Sequence, residues 1–285
     1  MSRIRNWTNF LLEYVDIKKL NYNIFDWDDN LLIMETPLHF QHFEDGKWMN
    51  KDITPFDFAQ IRKTYPHDYM DNNEWKGDNK YSFIEFRDYG PRGTNAFIED
   101  TQKSIKDKKF GPSWEIFLDT LKEGRLFAIV TTRGHEPETI RNCVKWIIEN
   151  VLTPEDRTKM EENLQSFNEL FGIKANDVIS QYLNCCYFIG LNSQAFIDEF
   201  GYIPAGPKMN QGKQDAINKF VNFVREFAKR TKLPLKVGFS DDDVNFSKAA
   251  QELFMKMEKS LDFPENFYVF NTSDAKLKGG VKVKI

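Results

Sequence analysis

Cysteine is scarce in this chain: three residues in 285, Cys143, Cys185 and Cys186. They follow no metal-ligand spacing, and two are adjacent inside the apolar run CCYFIGL. That pattern argues against a disulfide framework or a zinc–thiolate site, and the three read as buried thiols in a reducing compartment. Long hydrophobic runs are missing as well. No apolar stretch approaches the roughly 18 residues of a membrane span, and MSRIRNWTNFLLEYV lacks the apolar region and cleavage site of a signal peptide. The expectation is a cytoplasmic chain with no membrane partner. Trp7, Phe10, Leu11 and Tyr14 recur instead at helical spacing, as in an amphipathic helix packed on the body. Excess positive charge is the third absence. With 39 Lys and Arg against 43 Asp and Glu, the formal net charge is −4. Such a balance offers no broad basic surface for phosphate backbones, which makes nucleic acid a less favoured partner.

Apolar residues are plentiful. They form 41% of the chain, and phenylalanine alone fills 26 positions, enough for a sizeable core. At 285 residues the length predicts one large domain with a substantial insertion or a second small domain. Strand-like runs occur at Tyr22 to Phe25, Leu126 to Val130, Leu235 to Phe239 and Phe267 to Phe270, and the first three lead directly into polar loops. Helical patterns follow the middle two. After TTRGHEPET, residues Ile140, Cys143, Val144, Ile147 and Ile148 share one face, with Pro137 suited to a first turn. After SDDDVNFS, residues Ala250, Leu253, Phe254 and Met257 do the same. Strand, polar loop and helix in repetition predict an α/β fold with a parallel sheet, whose ligands bind at the carboxyl ends of the strands.

Acidic residues gather at two of those ends. In NYNIFDWDDNLLIMETP, Asp26, Asp28 and Asp29 follow the first apolar run. Asp26, Asp28 and Asn30 match the opening ligand positions of an EF-hand, but Leu31 stands where that loop needs glycine and Pro37 where it needs a bidentate glutamate. At a strand end, residues two apart point to the same side, so Asp26 and Asp28 can face one substrate. Two close carboxylates need a cation or a proton between them. Further ligands for a cation are offered by KVGFSDDDVNF, where Asp241, Asp242 and Asp243 again follow a strand. Oxygen donors without a histidine or cysteine pattern point to Mg²⁺ rather than zinc.

The order of IFDWDDNLL, LFAIVTTRG, a lysine ahead of a patterned helix, and KVGFSDDD resembles the four motifs of the haloacid dehalogenase superfamily, whose members are mostly Mg²⁺-dependent phosphatases and phosphotransferases. The resemblance implies a three-layer Rossmann-like core with a cap inserted after the first strand. It gives the nucleophile as Asp26, the proton shuttle as Asp28 and the phosphate-holding hydroxyl as Thr131. The metal set becomes Asp26, Asp28, Asp241 and Asp242. The lysine is Lys213, ahead of the face formed by Ala216, Ile217, Phe220, Val221 and Val224, with Lys208 as the alternative. Asn30 replaces the threonine usual four residues after the nucleophile, and its amide can still make side-chain hydrogen bonds there. Because the true dehalogenases of the superfamily do not keep the second aspartate, Asp28 favours phosphate chemistry.

On this reading, residues 1–33 and 116–285 form the core, with a possible further insertion within 152–205, and 34–115 form the cap. The long connection contains EFRDYGPRGTNAF, whose Arg87 and Arg92 are candidate contacts for an anionic substrate, as are Thr132 and Arg133 beside Thr131. His135 adjoins them. Between Thr131 and Lys213, a helix is expected around Glu161 to Phe171, and the run Cys185 to Leu191 is either a third strand or part of a second cap. The predicted activity is Mg²⁺-dependent hydrolysis of a phosphomonoester through an aspartyl-phosphate, with a phosphorylated small molecule or nucleotide as partner. A nucleotidase or a phosphatase of polynucleotide ends is the alternative within enzymes. From another class, a non-catalytic binding or scaffold protein of the same fold is the competing expectation.

Overall fold

The computed structural model describes residues 20–285 apart from 66, 79, 172–177, 207 and 275–279, with backbone alone at 165–171. The amphipathic stretch at Trp7 to Tyr14 lies outside the described residues. A six-stranded sheet runs in the order β6-β5-β1-β7-β8-β9. Its members are β1 (Leu20–Phe25), β5 (Phe127–Thr131), β6 (Tyr187–Gly190), β7 (Leu235–Asp241), β8 (Glu265–Asn271) and β9 (Val281–Lys284). All pairs are parallel except β8 with the edge strand β9. Every residue of β5, FAIVT, is buried, as expected of a parallel strand covered on both faces.

Alternation along β1 shows the two covering layers. Tyr22 meets Phe220 of the helix Lys208–Thr231 in an edge-to-face contact. On the opposite side, Asn23 donates to the Thr120 hydroxyl and Phe25 packs edge-on against Phe117, both from the helix Trp114–Lys122. The expected faces of the helices Pro137–Asn150 and Lys208–Thr231 are the buried ones. The run at Cys185 to Leu191 supplies β6, the outer strand of the main sheet. The chain is therefore α/β, with a mostly parallel sheet between helical layers. Among the described residues, no helix is long and apolar enough to cross a membrane.

The long connection after β1 builds a second sheet in the order β3-β2-β4, from β2 (Leu38–Glu44), β3 (Lys47–Ile53) and β4 (Trp75–Lys76). Asp45 and Gly46, with φ of +51° and +78°, make the tight turn that joins β2 to β3 with the twist a two-residue hairpin needs. A small apolar cluster of Leu38, Phe40, Ile53 and Ile61 covers one face of this sheet. Phe97 and Trp114, from the later part of the connection, belong to the large core instead. Residues 95–122 are thus packed with the main sheet, and the second cluster draws only on earlier residues.

Candidate functional site

Strands β1 and β7 are parallel neighbours with Phe25 opposite Ser240, so both acidic loops leave the sheet at one edge. The Asp26 amide continues the ladder by donating to the Ser240 carbonyl at 3.0 Å. Carboxylate oxygens of Asp26, Asp241 and Asp242 consequently lie within 4.8 Å of one another. Asp243 is used differently. It caps the helix Val244–Lys256, accepting from the Asn245 amide at 2.7 Å.

Lys213 reaches the cluster from the early turns of the helix Lys208–Thr231 and is fully buried. Its ammonium lies 2.5 Å from Asp26 Oδ1 and 3.0 Å from Asp241 Oδ2, and it donates to the Val130 carbonyl at 2.7 Å. Lys208 is exposed. Burial raises the carboxyl pKa of Asp26 well above its usual range against the pull of Lys213, with Asp241 and Asp242 adding to the rise. Burial likewise pushes Asp242 up to about 8, reinforced by Asp241. Burial alone would lower Lys213, but Asp241 and Asp26 raise it. One ammonium among three carboxylates leaves an excess of negative charge, which a proton or a cation must offset. Asp241 Oδ2 is buried and, besides the Lys213 ammonium at 3.0 Å, has no polar partner among the described residues. A set of hard oxygen donors with spare acceptor capacity fits a divalent cation such as Mg²⁺.

Asn30 stitches the loop after β1 to its neighbours. Its amide donates to the Asp26 carbonyl at 2.9 Å and the Ser240 hydroxyl at 3.0 Å, and its oxygen accepts from Thr272 at 2.8 Å. Asp29 occupies the left-handed region at φ +55°, uncommon for a residue with a side chain. The segment 110–113 clamps this turn. A Cβ at Gly111 would stand 2.4 Å from the Asn30 carbonyl oxygen, so only glycine allows that approach.

Asp28 stands outside the acidic triad. Arg133 Nε lies 2.8 Å from its Oδ2 and Nη2 lies 2.6 Å from its Oδ1, a paired grip on both oxygens. Arg133 is buried between the rings of Phe86 and Phe97, and its Nη2 also donates to Thr36 at 2.8 Å. Thr36 in turn donates to Asp100 at 2.6 Å, and Asp100 is paired with Arg92, which also holds Glu85. Two arginines read from the sequence as substrate contacts are therefore committed internally: Arg92 to the buried Glu85 and Asp100, and Arg133 to the part-buried Asp28. Thr131 is fully buried, with its hydroxyl 3.5 Å from Asp28 Oδ2. Thr132 is half-buried beside it. Arg87 sits next to the same loop, its backbone bridging to Gly134.

His135 is buried, and its Nδ1 lies 2.8 Å from Asp88, which also accepts from the Glu136 amide and the Thr139 hydroxyl. Burial holds the imidazole below its usual range in spite of Asp88. Asp88, Thr36 and Asp100 escape sequence reasoning because their partners are 47, 97 and 64 residues away, and no spacing rule links such positions. A hollow of about 520 Å³ beside β6 is lined by residues such as Tyr187, Phe196 and Phe223 and includes none of the acidic triad. The triad is the better site candidate because it concentrates charge and perturbed protonation. Comparison with protein-family models, curated proteins and solved structures gives no match, so the geometry alone carries the functional reading.

Proposed function

We propose that this chain is a Mg²⁺-dependent phosphatase of the haloacid dehalogenase type, acting on a phosphomonoester. One observation carries the reading: three carboxylates and a buried lysine converge at the carboxyl ends of two adjacent parallel strands, with Asp28 on the loop after β1 and Thr131 at the end of the neighbouring strand β5. Phosphoryl transfer needs an in-line nucleophile and positive charge around the phosphoryl oxygens. Asp26 attacks phosphorus, and the bond to the leaving alkoxide breaks as the aspartyl-phosphate forms. Asp28 gives its proton to that alkoxide, then takes one from the water that hydrolyses the aspartyl-phosphate, releasing inorganic phosphate and restoring Asp26. Lys213 holds Asp26 in place, Arg133 holds Asp28, and Thr131 offers its hydroxyl to the phosphate. Asp26, Asp241 and Asp242 would hold Mg²⁺, which when bound supplies positive charge against the carboxylates and the transferred group. The small sheet and the segment after it serve as the cap.

The test is phosphate release from a panel of esters with and without Mg²⁺, in wild type and Asp26→Asn. Mg²⁺-dependent release by wild type is expected, with none from a folded Asp26→Asn protein. Release by that variant within tenfold of wild type would remove Asp26 as nucleophile. Stabilisation by Mg²⁺ without turnover of any ester would favour a non-catalytic binding protein.

A further inference from the structure

Among the arginines around the site, Arg87 differs from Arg92 and Arg133. Its backbone forms a bridge with Gly134, whose amide donates to the Phe86 carbonyl at 2.9 Å. A Cβ at Gly134 would come 3.0 Å from Arg87 Cγ, so the arginine stem lies directly on the loop that follows Thr131 and carries Thr132. The guanidinium Nη1 donates to the Tyr89 hydroxyl at 2.8 Å and stands 5.6 Å from the centre of that ring. Among the described residues, no carboxylate lies within ion-pair distance of Arg87. Asp88, between the two, is turned away to His135, Glu136 and Thr139. Tyr89 is 59% exposed.

The rest of the site is strongly acidic. Arg87 is thus a cation without a counter-charge, held at the edge of a phosphate-binding loop by an exposed aromatic ring. A guanidinium in that position suits a second anionic group on the substrate, and the ring beside it suits a planar one. Both features occur together in a nucleotide that carries a further phosphate. We infer that Arg87 and Tyr89 make the substrate a phosphorylated nucleotide: Arg87 takes the second phosphate and Tyr89 stacks on the base. The inference rests on the phosphatase reading and names its substrate class. A simple solvated turn would leave the two side chains without effect on substrate choice.

Four esters separate the contributions: a nucleoside 3′,5′-bisphosphate, a nucleoside 5′-monophosphate, a sugar bisphosphate without a base, and p-nitrophenyl phosphate. Wild type is expected to give the highest kcat/KM on the nucleoside bisphosphate. Arg87→Ala should lower the preference for bisphosphate over monophosphate by about tenfold or more, the loss of a charge-assisted hydrogen bond. Tyr89→Ala should lower the preference for the nucleoside bisphosphate over the sugar bisphosphate, and Tyr89→Phe should retain it. Unchanged ratios in Arg87→Ala, or equal losses on all four esters, would overturn the inference. If wild type releases phosphate from none of them, the phosphatase reading fails separately. Calorimetric titration of the nucleoside bisphosphate into wild type and Arg87→Ala then decides the matter, since equal affinity or no binding overturns the inference and weaker binding to the variant supports it.

Discussion

Replacing Arg133 by lysine keeps the charge but removes the planar fork that grips Asp28. The guanidinium makes contacts of 2.6, 2.8 and 3.1 Å to that carboxylate and one of 2.8 Å to Thr36. A lysine ammonium is a compact charge and cannot span both oxygens at once. Removing one partner of a buried pair costs about 3–5 kcal/mol. The Asp28 side chain is 27% exposed and can recover some hydration, and lysine preserves part of the attraction, so the loss should be about 2–3 kcal/mol. For a chain of this size that lowers Tm by roughly 4–12 °C. The effect on turnover is more diagnostic. An unpinned Asp28 is no longer fixed against the leaving oxygen, and a displacement near 1 Å costs on the order of 10²-fold. Esters of alkyl alcohols, which need the proton, should suffer most, and aryl esters with good leaving groups least. Thermal melts and phosphate release on one ester of each kind make the measurement. Equal losses on both esters, or an alkyl-ester kcat within threefold of wild type, would refute the positioning role of Arg133.

The parallel sheet and the convergence of its acidic loops were legible because they depend on local signals. Alternation and length mark strands, while the residues directly after β1 and β7 share one edge once those strands are parallel neighbours. Lys213 was also legible, since its helix shows an unbroken apolar face and Lys213 stands on the buried side of the first turns. The roles of the arginines were not. Whether a guanidinium faces substrate or a carboxylate depends on contacts such as Arg133 with Asp28, which are 105 residues apart. Nor does the sequence mark where the connection after β1 returns to the main core. Phe97 and Phe40 are both buried aromatics in that connection, yet they belong to different clusters, because membership is set by tertiary packing and not by residue type.

Two further outcomes follow from the charge at the triad. Lys213→Met should destabilise the fold by about 3–5 kcal/mol at neutral pH, because it leaves Asp26 and Asp241 buried without their ammonium; unchanged denaturant midpoints would argue against the ion-paired arrangement. The loss should shrink as pH falls, because burial raises the carboxyl pKa of both groups and protonation relieves them, and added Mg²⁺ should restore part of it. The last outcome concerns the wild type without metal. Asp242 has its folded pKa raised to about 8 by burial and by Asp241, against about 3.9 when unfolded. The folded state therefore binds its proton more tightly, so this group's contribution to stability is complete below about pH 4 and is lost as pH rises towards 8. Mg²⁺ competes with that proton. Its affinity should increase from pH 6 to pH 8, and binding at pH 7 should release protons, seen as a calorimetric enthalpy that varies with the ionisation enthalpy of the buffer. Stabilisation by Mg²⁺ should grow over the same range, following RT ln(1 + [L]/Kd), about 2.7 kcal/mol at a hundredfold excess over Kd. A Mg²⁺ affinity independent of pH across this window, with no protons released, would mean that the cation does not displace protons from Asp26, Asp241 and Asp242.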